Sequence, residues 1–247
     1  MSAIETTDDK LLDGRVILRQ PAKGYRAAID PVLLAAAVRA AHGHRVLDAG
    51  CGTGAAAFCL AARLPHAMIT GLEIQDAYAA LARESAGLNR MEDRVRIVTG
   101  DLGSPPDLGA PFDVVMTNPP FGVDGTAPTD VGLAAAHMES HLGLAAWIKA
   151  CLKLLKHNGR LVAIHRADRL SELLAALAPA AGDIRVLPVF PKAGDPARRV
   201  IVDAGLGRRT PDTLLPGLIL HESDGRFTAA ADVILRGGPL PFEPAAP

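Results

Sequence analysis

The run Asn118-Pro119-Pro120-Phe121 combines the chemical groups and the backbone stiffness needed to hold a planar amino group. The Asn118 side chain and the Pro119 backbone each offer a carbonyl acceptor, and the two prolines make the chain around them rigid. Two acceptors that converge on one point suit an NH2 group, because a nitrogen that donates both hydrogens becomes more tetrahedral and more nucleophilic. Phe121 can stack on the ring that carries the amine. The alternative interpretation is a rigid loop followed by a core phenylalanine.

A second set of residues suits a nucleotide-like ligand. Three glycines alternate in residues 48–54 (DAGCGTG), where the missing Cβ atoms let the backbone turn tightly and approach a ligand. Glu73 lies 19 residues after Gly54 at the end of an apolar run, where a carboxylate can accept hydrogen bonds from ribose hydroxyls. Asp101 ends the next apolar run and can contact an adenine edge. A purely structural turn and a surface glutamate are the alternatives.

The elements that must position these residues alternate between strand and helix. This alternation, with strands that are apolar on both faces, predicts an α/β fold with a Rossmann-like, doubly wound, mostly parallel seven-stranded sheet. The predicted strands cover 45–50, 68–74, 94–100, 112–118, 159–165 and 184–190, and an antiparallel edge strand covers 197–204. The predicted helices cover 53–63, 76–89, 134–157 and 168–180, with another starting at Pro31. We expect three regions: an extension over 1–44 packing on the core, the main domain over 45–236, and a mobile Pro-rich tail over 237–247.

The segment DAGCGTG resembles motif I of the class I S-adenosylmethionine-dependent methyltransferases. The resemblance implies that S-adenosylmethionine is the cofactor, with Glu73 on the ribose and Asp101 on the adenine amine. The full set of implied cofactor-binding residues is Tyr25, Arg26, Asp30, Asp48, Gly50, Cys51, Gly52, Gly54, Glu73, Ile74, Asp101, Leu102 and Asn118. Asn-Pro-Pro-aromatic at the fourth strand end is similar to methyltransferases that act on planar amino nitrogens, which makes Asn118, Pro119, Pro120 and Phe121 the implied catalytic residues.

The segments before and after the predicted alternating strands and helices resemble a smaller group within these methyltransferases. Two pairs of segments are similar to bacterial tRNA1(Val) adenine-37 N6-methyltransferases. The first pair is Gly24-Tyr25-Arg26 with residues 29–34, and the second is residues 190–194 with residues 197–200. This implies transfer to adenine N6 in tRNA, at position 37 of the anticodon loop, with Tyr25, Arg26 and Asp30 near the cofactor mouth. Asp30 also suits the N-cap of a helix that starts at Pro31.

Other functions stay open at this point. A ribosomal RNA guanine-N2 methyltransferase uses the same Asn-Pro-Pro-Phe run, but it commonly carries a duplicated domain. A protein glutamine-N5 methyltransferase commonly has Tyr in place of Phe121 and a helical domain before motif I, for which the roughly 40 preceding residues are too few. The non-enzymatic alternative is a module that binds S-adenosylmethionine and RNA without catalysis.

The net charge of −1 excludes binding of nucleic acid through bulk positive charge. The charge is uneven, since residues 151–247 carry 13 basic and 10 acidic side chains while residues 1–150 carry 13 and 17. Five basic residues suggest a local RNA-contacting edge, with modest and salt-sensitive affinity: Lys192, Arg198, Arg199, Arg208 and Arg209. An ordinary solvated edge strand is the alternative.

Several further features bear on compartment and metal binding. The three cysteines lack C-x-x-C spacing, which favours a reducing compartment, and the polar N-terminus is not that of a signal peptide. No apolar run approaches the roughly 20 residues of a membrane span. We therefore expect a cytoplasmic protein, treated as a monomer because the sequence leaves its oligomeric state open. His137 and His141 lack the His-Glu-x-x-His order of zinc proteases, so no metal is expected.

Overall fold

The structure is a computed structural model that describes residues 5–23, 26–109, 111–120, 142–240 and 242. Its strands are β1 (Thr6–Leu11), β2 (Val16–Pro21), β3 (Arg45–Ala49), β4 (Met68–Glu73), β5 (Val95–Thr99), β6 (Phe112–Thr117), β7 (Leu155–Arg166), β8 (Ala181–Lys192), β9 (Arg199–Leu206), β10 (Thr213–Leu214) and β11 (Leu218–His221). Its helices are α1 (Asp30–Ala37), α2 (Ala55–Arg63), α3 (Asp76–Asn89), α4 (Leu144–Lys153), α5 (Leu170–Leu177) and α6 (Ala229–Leu235), with a 3-10 turn at Ala167–Arg169.

Among the described residues, nine strands form one sheet in the order β10-β8-β9-β7-β6-β3-β4-β5, and β11 also pairs with β8. All pairings are parallel except those of β9, which is antiparallel to both of its neighbours. The predicted doubly wound, mostly parallel sheet is therefore confirmed. The seven predicted strands correspond to β3–β9, and the short strands β10 and β11 extend the edge at β8.

Both faces of the sheet are covered, which explains why its strands are nearly continuous apolar runs. Val114 and Met116 on β6 lie in the core shared with α1, α2 and α3, whereas Val115 between them lies in the core shared with α4 and α5. Successive strand residues point to opposite faces, so a strand buried on both sides needs apolar residues at every position.

Two predicted elements have different positions in the structure. The antiparallel strand lies between β7 and β8 instead of at the sheet edge, because residues 200–205 are all buried and both of its sides pair. The helix predicted over 134–157 is described only from Leu144 and ends at Lys153. Leu155 already pairs with Phe112 on β6, and Asn158 has a φ of +62°, so Asn158-Gly159 marks a turn within β7.

The first and last described segments also pack on the core. The hairpin β1–β2, whose polar first strand was not predicted, contacts α3: the Ile17 amide donates to Asn89 Oδ1 at 2.8 Å and the Arg19 amide donates to Ser85 Oγ at 3.0 Å. At the other end, Phe242 is buried and the Leu240 amide donates to the Ala36 carbonyl of α1 at 2.9 Å. The prediction of a mobile tail is thus wrong for the described residues 237–240 and 242. In the described parts of the chain, no helix has the length and apolar character needed to cross a membrane.

Candidate functional site

The glycine turn connects the carboxyl end of β3 to the start of α2. Gly50, Gly52 and Gly54 have φ angles of +73°, +56° and +89°, a region that side chains with a Cβ atom rarely adopt. The Gly50 and Cys51 amides donate to the Leu72 carbonyl of β4 at 2.9 and 3.0 Å. The turn is therefore held against the neighbouring strand end.

The three glycines differ in what surrounds them. A Cβ atom on Gly50 would lie 2.8 Å from the Trp147 ring, and one on Gly54 would lie 2.4 Å from the Phe58 ring. A Cβ atom on Gly52 would have no neighbour within 4 Å among the residues that the structure describes. Gly52 is therefore the position in the turn that faces open space, where a ligand can approach the backbone.

Two buried carboxylates flank this turn. Asp48 is 2% exposed, and its Oδ2 atom has no hydrogen-bond partner within the described part of the chain. Burial raises the pKa of Asp48 to about 7, while the Ala57 amide opposes this shift and the nearby charge of Glu73 adds to it. Glu73 accepts from the Gly52 amide at 2.8 Å and from the Gln75 amide at 2.9 Å. The Glu73 carboxylate at the end of β4 is thus hydrogen-bonded directly to the glycine turn.

The next strand end carries the residues predicted to surround an adenine ring. Asp101 is exposed and accepts from the Gly103 amide at 2.8 Å, whereas Leu102 is buried. Ile74 is 39% exposed, which leaves an apolar side chain uncovered directly after Glu73. Because β3, β4 and β5 are parallel neighbours, these residues lie along one edge of the sheet.

Asn118 follows β6 immediately beside the glycine turn. The pairing of β6 with β3 sets Thr117 opposite Ala49, so Asn118 and Gly50 leave adjacent strands at the same level. The Asn118 Oδ1 atom is buried and has no hydrogen-bond partner among the described residues. Pro119 is also buried. Phe121 lies outside the described residues, as do Tyr25, His137 and His141.

One contact in this region was not predicted from sequence. The Trp147 indole N–H donates to Thr117 Oγ1 at 2.9 Å, and the Thr117 hydroxyl donates to the Ala49 carbonyl at 2.8 Å. Trp147 is buried, but no local sequence pattern relates it to Thr117 and Ala49, which lie 30 and 98 positions earlier.

Comparison with known proteins identifies the family. The family model described as the methyltransferase small domain matches residues 27–178. The chain belongs to this methyltransferase family. Its fold supports this assignment, since a Listeria monocytogenes protein described as a class I S-adenosylmethionine-dependent methyltransferase superimposes with a TM-score of 0.55 at 17% identity, over 77% of this chain and 62% of the other.

More similar proteins are also known. A tRNA1(Val) (adenine(37)-N6)-methyltransferase of Bacteroides thetaiotaomicron is 35% identical over 58% of this chain, but the match covers only 60% of that protein. A protein of the same name from Aeromonas hydrophila is 28% identical, with 82% of this chain and 85% of that protein covered. A solved Agrobacterium tumefaciens structure, described as a predicted O-methyltransferase, has a TM-score of 0.72 at 28% identity, covering 85% of this chain and 97% of the other.

The residues of this methyltransferase domain fit the cofactor that its fold class uses. Open space at Gly52 suits a ligand that approaches the backbone. The Asp48 oxygen that lacks a partner among the described residues suits a hydrogen-bond donor or a cation. Cys51 packs against Gly71, and burial raises the pKa of its thiol well above the ordinary value, so it acts as a small filling residue. Within the described ranges, no three His, Cys, Asp or Glu side chains form a group suited to a metal ion.

The two described residues of the predicted cofactor mouth form ion pairs with other residues of the chain. Arg26 pairs with Asp9 on the N-terminal hairpin and donates to Thr7 Oγ1 at 2.9 Å. Asp30 lies in the first turn of α1 and accepts from Arg199 Nε at 2.8 Å. The N-cap of α1 is Ile29, and no side chain caps it, so the N-cap interpretation of Asp30 is wrong. Contact of Arg26 or Asp30 with a cofactor stays a prediction.

The five basic residues expected to form one RNA-contacting edge are divided by the sheet. Arg199 starts β9 opposite Arg166, at the carboxyl end of β7, whereas Arg208 follows the end of β9 beside the amino end of β8. The eight residues of β9 span ~23 Å. The prediction of a single contiguous edge is therefore wrong. Lys192 and Arg198 lie with Arg199 at the end of the sheet that carries the glycine turn, and Arg209 lies with Arg208 at the opposite end.

Proposed function

We propose that this protein transfers a methyl group from S-adenosylmethionine to the N6 amine of adenine in tRNA, at position 37 of tRNA1(Val). The observation that carries the proposal is the placement of Asn118. Its buried Oδ1 atom has no hydrogen-bond partner in the described part of the chain, and it lies beside the glycine turn because β6 pairs directly with β3. The names of the Bacteroides and Aeromonas relatives support the tRNA substrate and the position. We place this activity in the cytoplasm, because tRNA is the proposed substrate.

The cofactor is held by the residues around the turn. The backbone at Gly52 can approach the ligand, Glu73 can accept from ribose hydroxyls, and Asp48 can accept from the methionine ammonium. Ile74 can cover one face of the adenine ring, with Asp101 at its edge. When bound, S-adenosylmethionine supplies an electrophilic methyl group on a sulfonium sulfur.

The substrate amine is held by the residues that follow β6. Asn118 Oδ1 can accept one amine hydrogen and the Pro119 carbonyl the other, which turns the nitrogen lone pair out of conjugation with the ring. As the nitrogen–carbon bond forms, the carbon–sulfur bond breaks and its electron pair stays on sulfur. The excess amine proton then leaves to water, so no general base is required. Holding the two reacting groups in line supplies much of the acceleration.

An amine substrate fits this site better than a hydroxyl substrate. An NH2 group has two hydrogens for the two acceptors, whereas a hydroxyl has one and would leave a buried acceptor without a partner. This distinguishes the proposed activity from the O-methyltransferase description of the Agrobacterium neighbour.

The test uses tRNA that lacks native modification and S-adenosylmethionine with a labelled methyl group. After digestion to nucleosides, mass spectrometry is expected to find the label in N6-methyladenosine. The Asn118→Ala variant is expected to lose at least ~100-fold in transfer rate while keeping its affinity for S-adenosylhomocysteine, since only the amine loses an acceptor. Label in guanosine or in protein contradicts the proposal. Full transfer by Asn118→Ala contradicts the role of Asn118, and absent transfer with intact cofactor binding favours the non-catalytic module.

A further inference from the structure

Thr117 connects the two halves of the site. Its hydroxyl accepts from Trp147 and donates to the carbonyl of Ala49. Ala49 is the last residue before the glycine turn, and Thr117 is the last residue before Asn118. One fully buried hydroxyl therefore connects the strand end that leads to the cofactor with the strand end that leads to the substrate amine.

Trp147 adds a second contact to the same turn. Two atoms of its ring lie at 2.8 and 2.9 Å from the position a Cβ atom on Gly50 would take, so the indole covers that glycine directly. Trp147 lies in the first half of α4, which runs back from the carboxyl end of the sheet toward the start of β7. It is 8% exposed, and burial makes the loss of its hydrogen-bond partner costly.

We propose that Trp147 and Thr117 are positioning residues, which set the distance between the cofactor methyl group and the amine held by Asn118. This inference rests on the proposed methyl transfer. Methyl transfer needs its two reacting atoms in line and in contact, so a small displacement between the adjacent strand ends slows the chemical step more than it weakens the binding of either partner. The signature of this role is a loss in kcat with smaller changes in KM and in cofactor affinity.

Three substitutions separate positioning from packing. Trp147→Phe keeps an aromatic ring over Gly50 but removes the indole N–H. Thr117→Val keeps the volume but removes the hydroxyl, and Thr117→Ser restores the hydroxyl. Ser85→Ala is the matched control, because Ser85 is also fully buried and its hydroxyl also joins two elements, donating to the Leu81 carbonyl and accepting from the Arg19 amide.

We expect Trp147→Phe and Thr117→Val each to lower kcat by about tenfold, with changes below about threefold in KM for tRNA and in Kd for S-adenosylhomocysteine. Thr117→Ser is expected to recover most of the rate, and Ser85→Ala to lower only the thermal midpoint. Wild-type kcat in Trp147→Phe overturns the inference, as does a loss in Ser85→Ala equal to that in Thr117→Val. Because Trp147→Phe retains the ring packing, it keeps the inference falsifiable even where Thr117→Val fails to fold.

A second readout does not depend on activity. Trp147 is the only tryptophan in the sequence, so tryptophan fluorescence, excited selectively over that of the two tyrosines, reports on the surroundings of this one side chain. Titration with S-adenosylhomocysteine is expected to change the wild-type emission, because the indole covers the turn that the ligand approaches. Thr117→Val is expected to shift the emission of the ligand-free protein, and Ser85→Ala to leave it unchanged. If neither the ligand nor the Thr117→Val substitution changes the Trp147 emission, the positioning role is contradicted. If the wild-type protein transfers no methyl group, the proposed function is contradicted instead.

Discussion

Asp48 and Asn118 are the two residues at the carboxyl ends of adjacent strands in which a buried side-chain oxygen has no hydrogen-bond partner among the described residues. Each holds a buried side-chain oxygen with no partner in the described structure, and each directly adjoins the end of a central strand. Leaving a buried polar atom unsatisfied costs free energy that a structural role alone does not return. In the proposed function the cofactor ammonium donates to Asp48 and the substrate amine donates to Asn118, which removes this cost at both atoms. These two residues therefore identify the site more clearly than the surrounding glycines do.

The raised pKa of Asp48 predicts a pH dependence of cofactor binding. Its value of about 7 lies above the ordinary value of 3.8, so the unliganded carboxyl is largely protonated at pH 6 and ionised at pH 8. A positively charged ammonium favours the ionised form, so binding releases a proton below pH 7. The affinity for S-adenosylhomocysteine is expected to rise by up to about tenfold from pH 6 to pH 8, and calorimetry measures it.

Asp48→Asn is the control for this dependence. The amide cannot ionise, so the variant is expected to bind more weakly and with a constant affinity between pH 6 and pH 8. The raised pKa of Asp48 has the opposite effect on the stability of the free protein, because ionising a buried carboxyl opposes folding. The contribution of Asp48 to the free energy of unfolding of the wild type therefore falls as the pH rises from about 4 through 7. Constant wild-type affinity, or a slope that persists in the variant, contradicts this account.

At the level of elements, glycine is needed in the glycine turn for two separate reasons: the left-handed backbone conformation and the lack of room for a Cβ atom. Gly50, Gly52 and Gly43 all have positive φ angles, but only Gly50 has no room for a Cβ atom. Gly52 and Gly43 both face open space, at the cofactor turn and in the loop before β3 respectively. The three positions therefore form a matched set.

Alanine at each position tests this distinction. Gly43→Ala and Gly52→Ala are expected to lower stability by a similar ~1 kcal/mol, the cost of a side chain in the left-handed region, and Gly50→Ala by more because it also clashes with Trp147. Only Gly52→Ala and Gly50→Ala are expected to lose affinity for S-adenosylhomocysteine. Denaturant unfolding and calorimetry measure the two effects, and equal cofactor loss in Gly43→Ala would show that strain alone explains the result.

The sequence predicts the central elements well because their signals are local. The strand ends at Asp48, Glu73 and Asn118 follow apolar runs, and parallel strands bring such ends to one edge of the sheet. The features that local sequence patterns could not predict depend on contacts between residues that lie far apart in the sequence. The Trp147–Thr117 hydrogen bond joins distant positions, and the burial of Phe242 requires α1 as its partner.

For the whole molecule, the sheet separates basic residues that lie close together in sequence. The antiparallel return of β9 leaves Lys192 and Arg198 at the end with the glycine turn and carries Arg208 and Arg209 to the opposite end. All four side chains belong to exposed residues, although the Lys192 ammonium also donates to the Ser223 carbonyl at 3.0 Å. We therefore propose that RNA contacts one local basic surface of this near-neutral protein, defined here by Lys192 and Arg198.

Paired charge reversals test which end contacts RNA. Lys192→Glu with Arg198→Glu is expected to weaken tRNA binding by at least about tenfold at moderate salt and to reduce the salt dependence of that binding. Arg208→Glu with Arg209→Glu changes the net charge equally and is expected to alter binding by less than about twofold. Filter binding over a salt series measures both pairs. Equal losses would mean that overall charge, and not the local surface, governs the interaction.

The most direct test of the central claim is methyl transfer to a defined transcript of tRNA1(Val). We expect the purified protein and S-adenosylmethionine to produce N6-methyladenosine at position 37, and a transcript with guanine at that position to receive no methyl group. Mass spectrometry of ribonuclease fragments locates the modification. A methyl group on guanine or on a ribose hydroxyl, or equal transfer to both transcripts, would contradict the account.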